Sequence, residues 1–165
     1  MFGSRNKKVP RDRLLIVGPV SSGKTSLYYR LLSGEHRETV SSIDLNKTKD
    51  SVKIRISGSG LSTEHTSEQE PSCEEHAVAI TDIPGHYNFR SEITQSLNSA
   101  KAIITVLDSK DKTKYGEAAE ILYDILGNID IISDEVPVLV ACNKQDLSFA
   151  KNASKMEKDL MTEIE

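Results

Sequence analysis

Only two cysteines, Cys73 and Cys142, occur in the 165 residues, and they share no C-x-x-C spacing. That scarcity argues against a disulfide framework and against a zinc site of the common kinds. A reducing compartment such as the cytosol is the simpler setting. No run of about 18 apolar residues exists, so nothing in the sequence spans a bilayer as a helix. Glycine stands at position 3 rather than 2 and no C-terminal cysteine box is present, so the myristoylation and prenylation patterns fail too. Work at a membrane would need an anchor from a segment absent here or from a partner.

An excess of positive charge is also missing, except at the very start. Arg5, Lys7, Lys8, Arg11 and Arg13 face a single acid, Asp12, in the first thirteen residues. The rest holds sixteen basic and twenty-four acidic residues, a formal −8. A body of that sign is unsuited to wholesale nucleic-acid binding. Residues 1–12 therefore read as a basic leader, either a solubilising tail or the cytosolic flank of an upstream membrane anchor.

What is present is an alternation of apolar runs with helix-period stretches, the pattern of an α/β fold with a mostly parallel sheet flanked by helices. Strands are predicted at residues 13–17, 51–57, 76–83, 101–107 and 137–142, with Val52, Ile54 and Ile56 sharing one face. Helices are predicted at 24–33, stopped by Gly34, and at 89–100, 113–127 and 148–164. In the second-last, Tyr115, Ala119, Leu122 and Leu126 recur at helical spacing; in the last, Phe149, Ala153, Met156, Leu160 and Ile164 form a stripe read as core. Residues 58–75 carry five glutamates among Ser, Thr and Gly, and read as a disordered acidic loop joining two antiparallel strands.

Three motifs carry chemistry. The first, G-P-V-S-S-G-K-T at residues 18–25, lies between a strand and a helix. Gly18, Ser21, Ser22, Gly23, Lys24, Thr25 and Ser26 form a cradle whose amides face an anion at the helix N-terminus. Lys24 is placed for β- and γ-phosphate oxygens, and the Thr25 hydroxyl for Mg²⁺. The second motif, D-I-P-G-H at residues 82–86, puts Asp82 at a strand end to hold Mg²⁺ through water; the Gly85 amide can swing onto a γ-phosphate. The third is N-K-Q-D at residues 143–146. A buried Asp146 carboxylate would accept from guanine N1–H and its 2-amino group, a donor pair adenine lacks, while Asn143 and Lys144 support the base and brace the first loop. Their order, each at a strand's C-terminal edge, points to GTP or GDP rather than ATP.

This set resembles the small GTPase superfamily near the Arf and Sar branch. It is more similar to the beta subunits of the signal recognition particle receptor, through L-L-S-G-E-H-R-E-T, S-S-I-D, I-T-D-I-P-G-H, S-A-K-A-I-I-T-V-L-D-S and V-A-C-N-K-Q-D-L-S-F-A-K. The resemblance covers residues 13–165 as one G domain, interrupted by the acidic insertion. It implies a GTP-binding subunit on the cytosolic face of the endoplasmic reticulum membrane. That subunit would hold the N-terminal domain of the receptor's alpha subunit in its GTP state for co-translational targeting, with the ribosome or translocon as further contacts. It also implies a transmembrane anchor not contained here. The family's last strand, base-covering loop and C-terminal helix are expected to be missing after Glu165. In T-V-S-S-I, Ser42 takes the place of the family's Mg²⁺-binding threonine, with Ser41 as the other register.

Hydrolysis of GTP needs a positioned water and stabilised phosphoryl charge. His86 either orients that water or is a partly exposed histidine with no catalytic part, and Val20 stands where Ras-like relatives carry glycine. The resulting expectation is a switchable module with slow intrinsic turnover, in which GTP orders residues 41–43 and 85–90 into a partner surface. The alternatives are an Arf/Sar-type cycling GTPase of vesicle traffic, and a shortened domain that no longer retains nucleotide.

Overall fold

The computed structural model describes residues 9–35, 37–39, 42, 44–48, 52–56 and 74–164. The basic leader up to residue 8, Ser41 and Ile43, Cys73 and nearly all of the acidic stretch lie outside these. Glu74 and Glu75, read above as the end of that stretch, open a strand instead.

The strands are β1 (Arg13–Val17), β2 (Asn46–Lys47), β3 (Val52–Ile56), β4 (Glu74–Asp82), β5 (Ala100–Asp108) and β6 (Val138–Asn143). They form one sheet in the order β2-β4-β1-β5-β6, with β3 beside β4. β1 runs parallel to β4 and β5, and β5 parallel to β6; β2 and β3 both run antiparallel to β4. The antiparallel pairing of the strands on either side of the acidic stretch matches the sequence reading. The two-residue β2 has no periodicity of its own and escaped it.

β1 sits centrally and is buried on both faces, which is why it reads as an unbroken apolar run. Leu14 and Ile16 pack with Tyr28, Val78, Ile80 and Val106 on the side of α1 (Lys24–Ser33). Leu15 and Val17 pack on the opposite side with Ile93 of α2 (Arg90–Ser96) and Ile121 and Ile125 of α3 (Tyr115–Leu126). The α1 stripe centres on buried Tyr28, with Leu27, Leu31 and Leu32 packed beside it. The helix stops where Gly34 turns left-handed at φ 72° and donates to the Arg30 carbonyl at 2.9 Å.

Residues 89–100, predicted as one helix, divide into 3₁₀ turns at Tyr87–Phe89 and Leu97–Ser99 flanking α2. Leu126 ends α3 exposed rather than on its core stripe. A short α4 (Ile129–Ser133) follows, capped by the Asn128 side chain, which accepts from the Asp130 and Ile131 amides. Arg11, within the stretch read as leader, binds this region: its guanidinium donates to Asp134 at 2.8 Å and to the Leu97, Ala100 and Asp130 carbonyls.

The last helix, α5 (Ala153–Ile164), begins five residues later than expected. Asn152 starts it, its Oδ1 accepting from the Lys155 amide at 3.0 Å, the work of an N-cap. Ahead of it, Lys151 N–H is bonded to the Ser109 carbonyl, and Phe149 has φ 69° with 93% of its surface exposed. The expected five-residue stripe thus reduces to Met156 and Leu160, packed on Leu107, Tyr115, Ala118 and Leu122.

Candidate nucleotide site

The C-terminal ends of β1 and β4 and the N-terminus of α1 frame a cleft of about 550 Å³. Its lining holds Val20, Ser21, Gly23, Lys24, Thr25 and Ser26, together with Thr39, Ser42, Pro84, Gly85 and Lys144. Four stretches distant in sequence therefore share one concavity, at the sheet edge where open α/β folds bind ligands.

The loop between β1 and α1 is shaped by backbone that few residues adopt. Ser21 is left-handed at φ 64° and Gly23 at φ 97°. A side chain on Gly23 would place its Cβ 2.1 Å from Asn143 Nδ2, so glycine is required for the two motifs to touch. Across that contact the Asn143 amide donates to the Ser22 carbonyl at 2.8 Å, bracing the loop. The Ser22 hydroxyl is buried with no partner among the described residues. Gly85 presses on the same loop from the other side. A Cβ there would lie 2.5 Å from backbone atoms of Pro19 and Val20, which cannot rotate away.

Lys24 is buried, its ammonium donating to the Pro19 carbonyl at 2.7 Å. Burial pulls its pKa down to about 8, against the opposing pull of the Asp82 and Glu117 carboxylates. A desolvated cation bonded to a neutral carbonyl is an arrangement that an incoming anion relieves.

Thr25, Ser42 and Asp82 meet beside it. Thr25 Oγ1 donates to Asp82 Oδ2 at 2.8 Å and lies 2.7 Å from Ser42 Oγ. Asp82 is wholly buried, and its Oδ1 has no partner among the described residues. Ser26 and Thr39 add a second tie between α1 and the segment before β2, at 3.0 Å. No group of three His, Cys, Asp or Glu able to hold a metal exists among the described residues. One orphaned carboxylate oxygen and two hydroxyls nevertheless fit Mg²⁺, a hard cation that completes its shell with water and phosphate oxygens.

In the N-K-Q-D segment Asn143 braces the loop as read, while Lys144 lines the cleft and takes a further partner. Lys144, at φ 60°, sends its ammonium to Asp108 Oδ2 at 2.7 Å. Burial of Asp108 opposes its ionisation, but the Lys144 hydrogen bond and the Lys110 and Asp111 amides prevail and hold the carboxyl below its ordinary value. Gln145 Nε2 donates to Ser109 Oγ at 2.6 Å and to the Lys151 carbonyl at 3.0 Å. Asp146, expected as a buried acceptor, is exposed and outside the cleft lining, because the turn after β6 carries it past the strand end into solvent. His86 is exposed too. Its Nδ1 accepts from the Asn88 amide at 3.4 Å and its ring lies against Tyr87, so it caps a turn and lines no part of the cleft.

Two residues at this site escaped the sequence reading. Asp108 had a signal, an acid at the end of a buried strand. Asn46, which donates to Asp82 Oδ2 at 2.9 Å, had none, since its contact depends on strand register.

The sequence profile of the signal recognition particle receptor beta subunit family matches residues 9–165. The chain belongs to this family. The mouse signal recognition particle receptor subunit beta is 29% identical over 161 residues, covering 96% of this chain and 53% of the relative. The Saccharomyces cerevisiae subunit is 31% identical over 165 residues, covering 96% and 59%. This family member thus spans little more than half the length of those relatives. A structure of the mammalian SRP receptor superposes with a TM-score of 0.67 at 29% identity, covering 92% of this chain and 72% of that one. The Arl6 small GTPase from Trypanosoma brucei, with bound GppNp, superposes at 0.65 with 19% identity, over 91% and 77%, a likeness of fold. The α/β small-GTPase fold of this beta-subunit relative is therefore established. No helix among its described residues is long and apolar enough to cross a membrane.

Proposed function

We propose that this chain is the guanine-nucleotide-binding domain of a signal recognition particle receptor. In this reading it holds the alpha subunit's N-terminal domain at the cytosolic face of the endoplasmic reticulum membrane when GTP is bound, for co-translational protein targeting. The observation that supports it most is the convergence of the cleft: the 18–25 loop, the Thr25–Ser42–Asp82 cluster and Gly85 share one concavity braced by Asn143. A structural neighbour of the same fold, with a TM-score of 0.64 at 22% identity, is the SRβ–GTP/SRX complex from Chaetomium thermophilum, which pairs GTP with SRX. The ribosome or translocon and a membrane anchor belong to the same proposal.

In the proposed roles, Lys24 and the amides around Gly23 bind and orient the phosphates. Thr25, Ser42 and Asp82 would hold Mg²⁺, whose chemistry is to neutralise phosphate charge. The Asp146 carboxylate faces solvent ready to accept from a guanine edge, and Asn143 links that end of the site to the loop. Gly85 is poised against Pro19 and Val20, so a ligand atom entering there must act on the segment that follows. That segment carries Tyr87, 72% exposed, which suits a partner surface formed by residues 85–90. Slow intrinsic hydrolysis agrees with the same geometry, since His86 is engaged in capping and Val20 lines the cleft.

The experiment is capture. Loaded with GTP or GDP, the chain is presented to the alpha subunit's N-terminal domain. Much stronger capture with GTP supports both the receptor role and the switch. Equal absence of capture, with tight GTP binding shown in the same sample, rejects the role in favour of an Arf/Sar-type cycle. Loss of all guanine nucleotide on purification would reject nucleotide binding itself. Single-turnover cleavage of bound GTP within seconds, without a partner, would remove the slow-turnover claim.

A further inference from the structure

Asn46 lies directly opposite Asp82 where β2 pairs with β4, so their side chains share one face of the sheet. Its amide nitrogen donates to Asp82 Oδ2 at 2.9 Å and lies 3.5 Å from Ser42 Oγ. Proton bookkeeping orients the whole cluster. Asp82 as a carboxylate only accepts, so Asn46 must present its NH₂ and Thr25 must spend its single proton on Asp82. Ser42 then donates to Thr25 Oγ1, and a lone pair of Ser42 faces the Asn46 amide. The bonds close a ring from Asn46 through Ser42 and Thr25 to Asp82 and back. Asn46 alone in that ring can donate twice.

We propose that Asn46 is a positioning residue for a divalent cation held by Thr25, Ser42 and Asp82, a role that rests on the reading of that cluster as the Mg²⁺ site. It pins Asp82 Oδ2, and so gives a defined direction to the buried Oδ1, which has no partner among the described residues. It does so without charge. An acid in its place would set a second carboxylate against Asp82, and a lysine would repel the cation. Because Asn46 is borne on a two-residue edge strand, aim of the cluster is tied to pairing of that strand with the end of β4.

The test uses the full chain loaded with fluorescently labelled GDP. Dissociation is followed against buffered free Mg²⁺ for the wild type, Asn46→Ala and Asn46→Leu, the second keeping volume while removing the donors. Loss of a hydrogen-bonded partner of a metal ligand typically costs about 10- to 100-fold in metal affinity, so the Mg²⁺ concentration that half-slows release rises by that factor in both variants. Release in EDTA stays at the wild-type rate, and Mn²⁺ binding read by electron paramagnetic resonance weakens in parallel. An unchanged Mg²⁺ midpoint overturns the proposal. Faster release by the same factor with and without Mg²⁺ also overturns it, since Asn46 would then only hold the edge strand. Wild-type release that ignores Mg²⁺ altogether removes the cation reading and this role with it; the other two outcomes leave that reading standing.

Discussion

At the scale of single residues, Asp108 is the group whose importance the geometry raises most. It receives the Lys144 ammonium and two backbone amides, so one carboxylate fixes the left-handed turn at the start of N-K-Q-D. A hydrogen bond to a charged group contributes about 1.5–3 kcal/mol, so Asp108→Ala is expected to speed guanine-nucleotide release by roughly tenfold or more. Stopped-flow release of labelled GDP checks it. The Mg²⁺ midpoint should not move, which separates this residue from Asn46. The folded carboxyl sits below its ordinary value, so its contribution is present above the unfolded pKa and is lost as pH falls through the folded one. The stability gap between wild type and Asp108→Asn in urea unfolding is therefore expected in full at neutral pH. It shrinks as pH drops below about 4, near the ordinary aspartate value.

At the scale of elements, α5 is held by two buried side chains, Met156 and Leu160, and by its start at Asn152. Such a helix depends on packing more than on its own turns. Met156→Ala removes the fully buried one from the cluster with Leu107, Tyr115 and Leu122. The expected cost is about 2–5 kcal/mol in urea unfolding. Because Lys151 joins this end of α5 to Ser109, and Ser109 accepts from Gln145, the same change should also accelerate nucleotide release. A destabilised variant with unaltered release would show that α5 is mechanically separate from the site.

At the scale of the whole molecule, polarity is uneven around the sheet. Among the described residues β6 has one strand neighbour, β5. Leu139 on β6 is 59% exposed, and on the other face of that strand the exposed Val140, Leu126, Met161 and Ile164 line an apolar groove of about 340 Å³ with Val138, Met156 and Leu160. An open edge with apolar side chains is a template for association. Val140→Lys should therefore lower self-association of this chain at high concentration, read by sedimentation velocity, with nucleotide binding retained. Equal association of both proteins would show that the face is not used.

The division between sequence and tertiary structure follows the reach of each interaction. The 18–25 loop, the helix behind it and its Gly34 stop were legible because they are local: the conformations of Ser21 and Gly23 and the turn at Gly34 are set within a few residues. The apolar runs of β1 and β5 announced a buried parallel sheet for the same reason; β6, whose run reads as buried too, instead keeps Leu139 and Val140 exposed at the sheet edge. Asn46 was illegible, since its bond to Asp82 spans 36 residues and exists only in one antiparallel register. Lys144 could not choose between the loop and Asp108 until β5 and β6 lay side by side, with Asp108 opposite Asn143. The same holds for Asp146, which the turn after β6 leaves in solvent, and for His86, which caps its own turn. Sequence alone determined which residue types the chain brings to the proposed nucleotide site, because each motif is contiguous. Only the tertiary structure decided which groups aim them, because aim is set by strand register and packing between segments far apart in the chain.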